Sequence, residues 1–246
     1  MNDNKPSRHH GNFEDAWGLV TRMLRSGESS AIWALVLAGV GIVAKPLDLV
    51  LARRDRKRLE QASEKTGPLV FIVGAPRSGT TLAYQILAQH LDVSYFTNAT
   101  ALFFKAPISG TRLLAPLSRS SASGFKSYYG NSAGLGGTND GFSIWNRWLG
   151  DDRYQTSDNI SDDARREMRQ FFAAWRGAFG KPLLNKNNRN ADCVRLLSQA
   201  LPEACFIEVQ RDAEWVVQSL LFARKTIQGD SSRNWGLRSN DPSIAS

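Results

Sequence analysis

Short apolar runs alternate along this chain with stretches in which apolar residues recur every three or four positions. Leu69-Val-Phe-Ile-Val73, Leu183 to Asn185 and Cys205-Phe-Ile-Glu-Val209 are brief and mostly apolar. Such runs predict strands buried on both faces of a parallel sheet, with a further short strand over 93–96. Between them lie helical patterns. Leu82, Ile86 and Leu87 predict a helix that reaches about Leu91. Ser161 with Asp162 and Asp163 opens another, whose stripe is Ala164, Met168, Phe171, Phe172, Trp175 and Phe179 and whose end is Gly180. Asp192 to Leu201 predicts a helix stopped by Pro202, and Asp212 to Thr226 one with Val216, Val217, Leu220, Leu221 and Arg224 in period. Strands that alternate with helices define an α/β fold, a parallel sheet flanked by helices. Residues 107–141 are rich in Gly, Ser and Asn and predict an irregular, substrate-side loop region.

The N-terminal third has a different pattern. Phe13, Trp17, Val20 and Leu24 lie at helical spacing, with Asn12 as a cap and Gly27 as an end. Ala31 to Ala44 then presents fourteen uncharged residues, Lys45-Pro46 interrupts, and the apolar pattern resumes to Ala52. A membrane span needs about 20 apolar residues. The stretch from Ala31 to Leu51 reaches that length only by including Lys45, Pro46 and Asp48. Arg53-Arg-Asp-Arg-Lys-Arg58 follows with five cations and one acid. A pair of buried core helices, an interfacial helix with a basic flank on anionic lipid, and a single span all fit this pattern. Residues 1–66 thus form an N-terminal helical attachment region, with residues 31–58 as the segment for an anionic membrane surface. Residues 67–246 form the α/β domain. The apolar run starts too late for a cleavable signal peptide. The basic C-terminal flank would keep residues 53 onward in the cytoplasm.

Composition narrows the chemistry. The chain has 246 residues, 42% hydrophobic and 22% charged, an ordinary globular balance. Its net charge of +8 favours anionic partners. No nucleic-acid-binding motif accompanies the charge, so nucleic acid is not an expected partner. Two cysteines without a CxxC pair, and three histidines of which two are His9 and His10 near the N-terminus, cannot build a Cys/His zinc site, and no metal is expected. Two lone thiols fit a reducing compartment.

The chemistry-bearing pattern follows the first strand at once. Gly74-Ala-Pro-Arg-Ser-Gly-Thr-Thr81 joins strand to helix. In such a loop, consecutive backbone N–H groups and the helix N-terminus converge on an anion. The spacing between Gly74 and Gly79 is that of a nucleoside-triphosphate loop, which makes the unit P-loop-like. Thr80, however, stands where that loop carries its lysine. Arg77, Ser78, Thr80 and Thr81 suit one terminal phosphate better than a Mg-triphosphate.

Pro76-Arg77-Ser78-Gly79-Thr80-Thr81-Leu82 resembles the 5′-phosphosulfate loop of sulfotransferases that use 3′-phosphoadenosine-5′-phosphosulfate (PAPS). The resemblance implies that Gly74, Arg77, Ser78, Gly79, Thr80 and Thr81 hold the 5′-phosphosulfate. Arg211-Asp-Ala-Glu-Trp-Val-Val-Gln-Ser219 resembles the family's 3′-phosphate element, with Ala213 in place of its common proline. A strand-end Arg211 and Ser219, eight residues on, face one crevice if the helix folds back. Leu183-Leu-Asn-Lys186-Asn-Asn is similar to the strand-end lysine segment of the tyrosylprotein branch. There Lys186 would act with Arg77 on the charge that develops in transfer. The resemblance covers about residues 67–226. It implies transfer of a sulfonate from PAPS to a hydroxyl or amine, of a glycan or a lipid.

The chain also departs from that family. The family base, a carboxylate or histidine after the first helix, has no counterpart in Val93 to Thr100. Asp92 and His90 belong to the helix end, and Asp140 reads as a turn before a core helix with Trp145 and Trp148. No base is assigned. Only Ile227 to Ser246, with Trp235-Gly236, follow the second phosphate element, so a shortened C-terminal closure is expected. An inactive PAPS- or PAP-binding remnant is the alternative from another class. A divergent P-loop kinase is disfavoured by Thr80.

Overall fold

A computed structural model of the chain describes residues 16–231 except 64, 120–124, 126, 129 and 152–158. The expected cap and start of the first helix, Asn12 and Phe13, and the tail with Trp235-Gly236 lie outside these residues. In chain order the elements are α1 (Ala16–Arg25), α2 (Ser29–Glu60), β1 (Leu69–Val73), α3 (Thr80–His90), β2 (Ser94–Tyr95), α4 (Asn98–Ala101) and α5 (Pro107–Arg119). Then come β3 (Ser127–Tyr128), β4 (Asn131–Ser132), α6 (Phe142–Leu149), α7 (Asp162–Phe179), β5 (Leu183–Lys186), α8 (Arg189–Asp192), α9 (Val194–Ala200), β6 (Ala204–Glu208) and α10 (Ala213–Gln228).

Four strands form one parallel sheet in the order β2-β5-β1-β6. Leu69 pairs with Leu183 and with Ala204, and Ile72 pairs with Lys186. Successive side chains point to opposite faces. Ile72 and Leu184 therefore meet Tyr84 and Ala88 of α3. Leu69, Phe71 and Leu183 meet the α6–α7–α9 layer. That second layer is an aromatic core. The Phe96 ring lies 4.8 Å from Trp175 and the Phe71 ring 5.4 Å from Trp145, both edge to face. Two of the buried indoles find acceptors: Trp175 Nε1 donates to Ser94 Oγ at 3.0 Å and Trp145 Nε1 to Asn185 Oδ1 at 2.9 Å. Trp145 and Trp148 are thus core residues, as the turn-and-helix reading has it. α7 has the ends its sequence predicts. Ser161 Oγ accepts from Ala164 N at 3.2 Å, and Gly180 closes the helix at φ 69°.

The structure corrects the sequence reading in four places. Lys45-Pro46 does not interrupt the N-terminal apolar stretch, because α2 runs through Pro46 without a break. An interior proline costs about 3 kcal/mol, and contacts at both ends of α2 outweigh it. Residues 107–141 are not wholly irregular, since they contain α5. Pro107 opens it at the first helical position, where the missing N–H costs nothing. Its N-terminus is satisfied from far away in sequence. Asp55, buried on α2, accepts from Ile108 N at 2.9 Å and Ser109 N at 3.0 Å. Seven residues earlier, and so on the same face, Asp48 accepts from Lys105 N at 3.0 Å and Ala106 N at 2.8 Å. The helix expected over Asp192–Leu201 breaks at Cys193 into α8 and α9. On α10 the buried stripe is Val216, Leu220, Ala223 and Ile227, while Val217 and Leu221 face outward.

Candidate functional site

The strands β1, β5 and β6 end together at Val73, Lys186 and Glu208, so the loops that follow them share one edge of the sheet. After β1 the chain turns sharply. Gly74 has φ 151°, and a Cβ there would lie 2.5 Å from the Val209 carbonyl oxygen, so only glycine fits between the two strand ends. Ser78 N donates to Ala75 O at 3.1 Å. Arg77 has φ 75°, the one non-glycine residue with positive φ among the described residues. Holding a residue there costs roughly 1–3 kcal/mol and is characteristic of ligand clamps. Gly79 precedes α3 at φ 103°, and open space lies where its Cβ would be. The first N–H groups of a helix have no partner within it, so those of α3 are turned toward this loop.

The loop meets the second predicted element directly. Arg77 Nε donates to Ser219 Oγ at 3.0 Å, and Arg211 Nη1 donates to the Arg77 carbonyl at 3.2 Å. Residues 134 and 142 positions apart in the chain thus form one cluster. Arg77, Arg211, Trp215, Gln218, Ser219 and Phe222 line a cleft of about 240 Å³. Both charged residues in the lining are cations, so the cleft selects an anion. Ser78 Oγ is buried with no hydrogen-bond partner among the described residues. A buried hydroxyl without a partner beside a helix N-terminus is what a phosphate oxygen would satisfy. The residues present therefore fit a phosphorylated nucleotide. Trp215, Gln218 and Phe222 were missed in the sequence reading. Trp215 and Phe222 lie four residues before and three residues after Ser219, on its face of α10, and Gln218 is its neighbour in the chain.

Lys186 is not in that cleft. It ends β5 on the α3 side, buried, and its Nζ contacts Asp140 Oδ2 at 2.9 Å. Asn187 Nδ2 donates to the Asp140 carbonyl at 3.0 Å. Asn139 Oδ1 accepts from Gly141 N at 2.9 Å, and position 141 requires glycine both for its φ of 68° and because a Cβ would meet the Phe96 ring at 2.4 Å. This turn presents Asp140 to Lys186. Tyr84, one turn into α3, donates to Phe96 O at 3.3 Å, and burial pushes its phenol far up, so it stays a neutral donor. Asp92 is at the other edge of the sheet, paired with Lys181 at 2.6 Å before β5 begins. Among the described residues no three His, Cys, Asp or Glu gather to hold a metal.

The structure is thus a parallel α/β sheet flanked by helices, in which the loop after β1 and the helix after β6 border one cationic cleft. The chain matches the sulfotransferase family over residues 68–242, and it belongs to that family. Among solved structures it is similar to a sulfotransferase from Mycobacterium tuberculosis, with 13% identity and a TM-score of 0.49. That match covers 87% of this chain and 65% of the other, so the chain spans less than two thirds of that protein's length. No curated protein matches it.

Proposed function

We propose that this chain binds PAPS and transfers its sulfonate to a hydroxyl or amine of a glycan or lipid. The observation that carries the reading is the Arg77–Ser219 hydrogen bond, which joins the loop after β1 to the helix after β6 in one cationic cleft. PAPS supplies the sulfonate, and 3′,5′-adenosine bisphosphate is what remains. The α3 N-terminus with Gly74, Ser78, Gly79, Thr80 and Thr81 takes the 5′-phosphosulfate, and Arg77, in that loop with its guanidinium on Ser219, links this position to the 3′-phosphate position. Arg211 and Ser219 take the 3′-phosphate. Lys186 supplies a buried cation where charge develops in transfer. Asp140, paired with Lys186, accepts the proton of the acceptor in this reading.

Calorimetric titration of the chain with 3′,5′-adenosine bisphosphate, AMP and Mg-ATP tests the reading. The bisphosphate binds at least about tenfold more tightly than AMP, the equivalent of ~1.4 kcal/mol from one added phosphate. Equal affinities would remove the assignment of the 3′-phosphate site, and preference for Mg-ATP would replace it with a kinase. Sulfonate transfer from labelled PAPS to a panel of glycan and lipid acceptors separates an enzyme from a binding remnant.

A further inference from the structure

α2 presents an apolar surface that the proposed chemistry does not use. From Ile32 to Leu47 it has no buried residue. By length and composition it could cross a membrane. Its attachments say how it lies. At its start Ala31 is fully buried against Leu19 and Met23 of α1. α1 is itself tied to α10 by Arg22 Nε donating to Ile227 O at 2.9 Å. In the middle, Leu37 joins the Leu102–Phe103–Ala106 cluster, and a Cβ on Gly41 would contact Leu102 at 3.8 Å. At its end Asp48 and Asp55 bind the backbone of residues 105–109. From Ala31 to Asp55 the helix runs about 36 Å at 1.5 Å per residue. It is fastened to the domain at its start, its middle and its end. A perpendicular span over residues 29–47 would drag the Leu102–Ala106 segment packed against Leu37 and Gly41 into hydrocarbon with it.

The opposite face carries Ile32, Val36, Val43, Leu47 and Val50, spaced four, seven, four and three residues apart and all exposed, Val43 at 80% and Val50 at 66%, and Val40, Ile42 and Leu49 widen this apolar surface on either side. The same stripe continues as Arg54 and Lys57, both exposed, with exposed Arg53 and Arg56 beside them. An apolar stripe that runs into a cluster of four cations matches the acyl boundary and the anionic headgroups of one leaflet. A second copy of the chain would bring a like-charged cluster and gain nothing from it.

We infer that α2 is an in-plane strap that seats the domain on an anionic lipid surface without crossing it. The inference concerns residues 31–57 and stands apart from the sulfotransfer reading. The test is co-sedimentation of the full chain with neutral phosphatidylcholine vesicles and with vesicles containing phosphatidylglycerol. Single fluorescent labels at positions 36, 43 and 50 then report depth through lipid-borne quenchers. Binding should favour the anionic vesicles and weaken with salt, and the three labels should lie at one shallow depth of about 5–10 Å. Val43→Asp, at a site open to solvent, should cut partitioning at least about tenfold while leaving bisphosphate binding unchanged. A stepwise gradient of ~10 Å between successive labels would mean a span and overturn the inference. So would failure to bind either vesicle, or dimerisation that Val43→Asp abolishes.

Discussion

Arg211→Ala should weaken binding of 3′,5′-adenosine bisphosphate far more than binding of AMP. The Arg211 guanidinium does two things in the structure. Its Nη1 donates to the Arg77 carbonyl at 3.2 Å, and it lines the cleft that Ser219 and Arg77 share. A hydrogen bond between a cation and a phosphate contributes roughly 1.5–3 kcal/mol. Arg211 is exposed, so water competes and the lower half of that range applies. The loss for the bisphosphate is then about 10- to 40-fold. AMP lacks the 3′-phosphate and feels only the loosened Arg77 carbonyl, a change of about threefold or less. Calorimetry on the variant with both nucleotides reads the ratio directly. Ser219→Ala is the companion, because it frees Arg77 Nε as well and should weaken both ligands. If Arg211→Ala lowers both affinities equally, Arg211 does not face a 3′-phosphate and its assignment is wrong.

Three further outcomes follow from the packing and the charges. Asp55→Ala strands the buried Ile108 and Ser109 amides and removes the ion pair of the half-buried Arg58, and should lower urea stability by about 2–4 kcal/mol; a loss below 0.5 kcal/mol, on the order of a surface substitution, would mean that α5 caps itself. Trp175→Ala empties the aromatic layer beside Phe96 and removes the indole bond to Ser94 Oγ, for about 3–5 kcal/mol in the same assay. Burial tends to raise the Glu203 carboxyl, but the Arg169 hydrogen bond at 2.8 Å outweighs it, and the folded-state pKa falls below the usual 4.5. That stabilisation is therefore present at neutral pH and is lost as pH falls through the carboxylate range. Both side chains are about a third exposed, so it is worth less than ~1 kcal/mol. Urea midpoints between pH 7 and pH 3 should fall less steeply for Glu203→Gln, and identical slopes would assign the acid sensitivity elsewhere.

The elements that could be read from the amino-acid order are those whose causes are local. β1, the loop at 74–81 and α3 announce themselves through a run of apolar residues, two glycines at fixed spacing and a helical period. α7 does the same through Ser161 and Gly180. Arg77, Arg211 and Ser219 were legible as candidates because each sits in a local motif. Other features have causes far away in the chain. The order β2-β5-β1-β6 depends on which strands meet, and no single strand encodes that. α5 begins where it does because Asp55, more than fifty residues earlier, caps it. α2 continues through Pro46 because its ends are held elsewhere. Asp140 read as a turn residue, and only the approach of β5 gives it Lys186 as a partner. The outward face of α2 could have been core, span or surface by its pattern alone. Its inner face meets residues 102–109, and that contact leaves the Ile32–Val50 stripe to solvent. Periodicity states that a helix has an apolar side. What that side touches depends on chain segments that periodicity does not see.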